Sequence, residues 1–76
     1  MTNTDRINEA VAAEVRAHVA RQQMRQSDLA GLLGISPSGV SSRLSGRTPL
    51  AAGELVVIAE WLGVAPADLI PAKAAS

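Results

Sequence analysis

Apolar residues recur at helical rather than alternating spacing along most of the chain. Ile7, Val11, Val15 and Val19 fall every four residues and mark one face of a first helix, with an alanine ridge (Ala10, Ala13, Ala17, Ala20) opposite. Thr4 reads as its N-cap, with Asp5 and Glu9 near the positive end. Leu29, Ala30 and Leu33 define a second helix, ended by Gly34. Ser36 followed by Pro37 is a start signal for a third, which carries Val40 and Leu44 on one face and stops at Gly46. Leu55, Ile58, Ala59 and Leu62 give a fourth, closed by Gly63. Pro66 to Ile70 has room for a last helical turn before Pro71. The pattern predicts a compact all-α fold of five helices forming a single domain over 1–76, with 71–76 a frayed tail.

The second and third helices are joined by only Gly34, Ile35 and Ser36. Two short helices around a three-residue turn containing Gly form a helix-turn-helix unit, here about residues 26–45. Ala30 is small enough to let the helices approach, and Ile35 with Val40 plugs the angle between them. The N-terminal part of the third helix is then presented outward, where it can enter a major groove. An ordinary αα-hairpin can carry Ala, Gly and Val in the same places, so the spacing alone leaves that reading open.

Composition narrows the chemistry. The 76 residues include no Cys, no Tyr and no Phe, one Trp and one His. A disulfide framework and a thiolate metal cage are excluded, and the core must be held by helix packing. Any nucleophile–base pair would rest on His18, which sits at the edge of an apolar face and reads as a packing residue. No metal-ligand spacing, cofactor loop or catalytic constellation is evident. The longest apolar run, Leu55 to Ala59, is far short of the roughly 18 residues of a membrane span. Neither a membrane segment nor a signal peptide is expected, and the default compartment is the cytoplasm.

Charge first argues against nucleic acid and then for it. Seven Lys and Arg balance seven Asp and Glu. By position, however, Arg16, Arg21, Arg25, Arg43 and Arg47 face Asp28 alone, which puts +4 on the motif and −4 on the flanks. All five are arginine, the side chain suited to bidentate phosphate or guanine contact. Arg16 reads as part of a solvated face, whereas Arg43 and Arg47, with Thr48, read as phosphate clamps after the third helix.

The run Gln26-Ser-Asp-Leu-Ala30-Gly-Leu-Leu-Gly34-Ile-Ser-Pro-Ser-Gly-Val40 resembles the lambda-repressor/Cro-like (XRE) helix-turn-helix family. Its continuation Ser41-Ser-Arg-Leu-Ser-Gly-Arg-Thr-Pro-Leu50 and the segments Glu54-Leu55 and Ile58 to Val64 extend the likeness. The resemblance covers roughly residues 11–70 and looks like short actinobacterial or phage regulators. It implies a five-helix domain that binds operator DNA in the major groove as a homodimer, with no effector molecule evident. A phage- or prophage-type repressor acting by operator occupancy is the simplest function it implies.

Within that likeness, Gln26 and the start of its helix would meet phosphate. Ser38, Ser41 and Ser42 match base-facing positions, Pro37 could touch a thymine methyl, and Ser36 serves first as a cap near the backbone. Arg25 stands where the family often has Ser or Thr, and adds a cation for phosphate. Pro37 replaces a frequent Gln, and Arg43 replaces an apolar residue. Gly39, costly in a helix by ~1 kcal/mol relative to Ala, suggests a backbone approaching closely. Val57 and Trp61 lie apart from the core stripe and read as a partner interface. The competing expectation is a protein-interaction module on the same fold, an antitoxin or adaptor, with DNA binding secondary or lost.

Overall fold

The computed structural model describes residues 2–71. Its longest element is α1 (Asn3–Arg21), in a body of 32 × 24 × 21 Å. α1 is capped by Thr2 rather than Thr4. The Thr2 hydroxyl accepts from the Asp5 N–H at 3.1 Å, and the Asp5 carboxylate accepts from the Thr2 N–H at 3.4 Å. Asp5 stands three residues after Thr2, the spacing of a reciprocal capping box, which Thr4 lacks.

α2 (Gln26–Leu33), α3 (Pro37–Leu44) and α4 (Ala52–Leu62) follow. The last element, expected as a fifth helix, is a single 3₁₀ turn at Pro66–Leu69. Its bonds run i→i−3: Asp68 N–H pairs with the Ala65 carbonyl at 2.9 Å and Ile70 N–H with Ala67 at 3.2 Å, and Pro71, which has no N–H, cannot extend the turn. The all-α class holds, with four helices and one turn among the described residues. Apart from Pro71, the expected frayed tail lies outside the described residues.

The core takes Val11, Val15 and Val19 from α1, Leu29 and Ala30 from α2, Val40 and Leu44 from α3, and Ile58, Ala59 and Leu62 from α4. Two further buried residues escaped the periodic reading. Ala12 lies beside the valine row, and Leu69 of the 3₁₀ turn is fully buried. α2 packs on α3 and α4, α1 on α3 and the turn, and α4 on the turn. Ala13, Ala17 and Ala20 are exposed and Ala10 is half-buried.

Long side chains from α1 and its C-cap reach the ends of other helices. Arg16 Nη1 donates to the Leu44 carbonyl, placing a cation at the C-terminus of α3. Gln22 Nε2 donates to the Leu62 carbonyl at 2.8 Å and satisfies an otherwise open acceptor at the end of α4.

Candidate nucleic-acid interface

α2 and α3 meet through the predicted turn. Gly34 adopts φ +66°, ψ +34°, the left-handed conformation glycine takes without steric cost, and Ile35 N–H then pairs with the Ala30 carbonyl at 3.1 Å. Ser36 caps α3 as expected, its hydroxyl accepting from Gly39 N–H at 3.1 Å. Val40 and Leu44 anchor α3 in the core, which turns Pro37, Ser38, Ser41 and Ser45 toward solvent. Those four share one helical face, and three carry hydroxyls. Ser45 belongs to this stripe but was missing from the expected site, although its i+4 relation to Ser41 is the signal that finds it.

Beside the stripe lies a shallow depression of about 270 Å³, lined by Arg16, Gln26, Ser41, Leu44 and Ser45. It joins the start of α2 to the exposed face of α3. Among the four helix starts, α1 and α3 are capped by the Thr2 and Ser36 hydroxyls, whereas α2 and α4 have no side-chain cap, Glu54 accepting the Ala51 N–H ahead of α4. Arg25 occupies the cap position of α2 and is exposed. The Asp28 N–H is taken by the Arg25 carbonyl at 3.1 Å, which leaves the Gln26 and Ser27 amides as those that can face an external acceptor.

After α3, Ser42 organises the loop. Its carbonyl accepts from the Arg47 and Thr48 N–H groups at 3.0 and 3.2 Å, and its hydroxyl lies 2.6 Å from that of Thr48. Ser42 and Thr48 thus hold each other, while Arg47 remains exposed with Nε 3.3 Å from the Ser45 hydroxyl. The atoms nearest a Cβ at Gly39 among the described residues belong to side chains, not backbone. A Cβ there would stand 3.4 Å from side-chain atoms of Arg43, Ile35 and Ser36.

Arg43, expected among the phosphate clamps, has intramolecular partners. Its Nε donates to both Glu54 oxygens at 3.2 and 3.1 Å, and its Nη1 donates to the Gly39 carbonyl at 3.1 Å. The two side chains are 21% and 22% exposed. Partial burial opposes ionisation of Glu54, but the Ala51 N–H and Arg43 outweigh it and hold the carboxyl below its ordinary value of 4.5. Glu54 is therefore charged at neutral pH. It was no part of the expected site, because its partner lies eleven residues away on another helix.

The expected partner residues separate. Val57 is 38% exposed beside Val56 at 44%, while Trp61 is half-buried and packs on the core. His18 is half-buried, with Nε2 3.6 Å from a Glu14 oxygen. Among the described residues no helix is long and apolar enough to cross a membrane, and no cluster of His, Asp or Glu is placed to hold a metal.

A family model described as "Helix-turn-helix domain" matches residues 10–72, and the chain belongs to that family. The class is that of XRE-type helix-turn-helix proteins, DNA-binding transcriptional regulators without catalytic machinery. In particular the chain is similar to the clp gene regulator ClgR from C. glutamicum, at 27% identity and a TM-score of 0.76 over 83% of this chain and 82% of that one. No curated protein matches it.

Proposed function

We propose that the chain is a cytoplasmic repressor of phage or prophage type that occupies operator DNA, with α3 in the major groove. The observation that carries this reading is the outward stripe of Pro37, Ser38, Ser41 and Ser45, with exposed Arg47 against Ser45 and exposed Arg25 at the cap of α2. Ser38, Ser41 and the remaining hydrogen-bonding capacity of Ser42 would meet base edges. Hydroxyls donate or accept, so their readout is tolerant. Arg25, Gln26 with the start of α2, Ser36, Arg47 and Thr48 would meet phosphate and set the register. The similarity to a protein described as a gene regulator supports the same reading.

The test is a shift assay over a salt series, with DNA flanking the chain's own gene and a random duplex. Phosphate contacts contribute about −0.9 each to the log–log salt slope. Replacing Arg25 or Arg47 by Ala is expected to flatten the slope of a dimer by about 1.8 for either residue and to weaken binding on every sequence. Unchanged slope and affinity after both substitutions would contradict the assignment. Equal, weak wild-type binding to both duplexes would favour the interaction-module reading instead.

Exposed Val56 and Val57, with the edge of Trp61, form the surface we assign to a homodimer contact. Val57→Glu is expected to shift sedimentation toward monomer and to weaken binding to a two-half-site duplex more than to a single half-site. A wild-type protein that stays monomeric on a two-half-site duplex would refute this assignment.

A further inference from the structure

We propose that Glu54 is a specificity-determining residue that keeps Arg43 off the DNA backbone, its carboxylate taking within the chain the place a phosphate would take. The inference rests on the DNA-binding reading above and concerns how strongly that surface grips DNA irrespective of sequence.

Arg43 projects from the last turn of α3, one residue before buried Leu44 and four before the exposed Arg47. A cation in that position is available to phosphate unless something neutralises it. Glu54 does so with both oxygens on Arg43 Nε, while its Oε1 also accepts the Ala51 N–H at 3.0 Å. One carboxylate thereby engages both electropositive features of this corner, the guanidinium and the start of α4. The Gly39 carbonyl holds the other side of Arg43. The guanidinium is thus held at Nε and Nη1, with the side chain 21% exposed. A phosphate arriving at the loop meets a neutral pair flanked by Arg47, and the basic motif presents one charge fewer than its sequence suggests.

A purely structural clamp between α3 and α4 would affect folding and leave the salt dependence of binding alone. Counting phosphates separates the two roles. Glu54→Gln retains an amide oxygen for the Ala51 N–H but removes the charge. For a dimer it is expected to steepen the log–log salt slope by about 1.8, one added phosphate contact per protomer. Affinity for a random duplex should rise several-fold, narrowing the ratio of operator to random binding. The double variant Arg43→Gln/Glu54→Gln should return the slope to the wild-type value.

An unmoved slope in folded Glu54→Gln overturns the proposal. So does a slope in the double variant shallower than wild type, since Arg43 would then already be on phosphate. If Glu54→Gln does not fold, the reversed pair Arg43→Glu/Glu54→Arg keeps the ion pair and carries the test. A wild-type slope there supports the proposal, and a shallower one overturns it. Wild-type binding indifferent to salt would defeat the DNA reading itself. A salt-dependent wild type with an unmoved Glu54→Gln slope defeats this inference alone.

Discussion

Leu29→Ala is expected to remove about 2–5 kcal/mol of stability, the range for truncating a buried Leu. Leu29 is 1% exposed and is the main apolar anchor of α2, which packs against both α3 and α4. A cavity there sits beneath the helix-turn-helix angle, where neighbouring helices cannot close in without changing that angle. Domains hold about 0.05–0.15 kcal/mol per residue, so roughly 4–11 kcal/mol for a chain of this length. The loss is a large share of that total. Urea unfolding followed by far-ultraviolet circular dichroism would show a lower midpoint with an unchanged slope. A loss below about 1 kcal/mol would mean that α2 is not anchored in this way.

The second large effect is expected at Gly46. Its φ of +83° is a conformation L side chains rarely adopt, and a Cβ there would stand 3.1 Å from Glu9 Cγ and 3.3 Å from Glu9 Cα. The Cγ can swing aside, whereas the Cα belongs to the backbone of α1. Gly46→Ala therefore combines a conformational cost of about 1–2 kcal/mol with displacement of the loop after α3. A total near 2–3 kcal/mol corresponds to a melting temperature lower by about 10–20 °C. Gly63→Ala is the control, because Gly63 has a similar φ of +73° and nothing within 4 Å of its Cβ position. Equal losses at the two glycines would show that the approach to Glu9 contributes nothing.

Much of the fold was legible because its signals are local. The row Val11, Val15, Val19, the left-handed turn at Gly34 and the Ser36 cap all follow from spacing within a few residues. The start of α1 was misplaced by two residues because two threonines compete, and the position of Asp5 decides between them. The turn after Arg21 carries no sequence mark at all. Gln23 takes φ +56° where a glycine would have announced the end of the helix. Leu69 was missed because a four-residue turn is too short to show a period.

The candidate site divides the same way. The hydroxyl stripe of α3 follows from helical geometry, whereas the pairing of Arg43 with Glu54 depends on where α4 starts relative to the end of α3. Arg16 is similarly unreadable as a donor to the Leu44 carbonyl, twenty-eight residues away. Counting arginines along the chain records charge but not whether each charge already has a partner.

The eight residues of α3 span about 12 Å, close to the width of the major groove. At about 3.4 Å per base pair, such a helix reaches roughly four steps of duplex. A four-base-pair word recurs by chance about once in 256 base pairs, far too often to address a single promoter among the competing sites of a genome. Two such words read together recur about once in 65,000. On the proposed reading, the brevity of α3 makes pairing of half-sites an informational requirement.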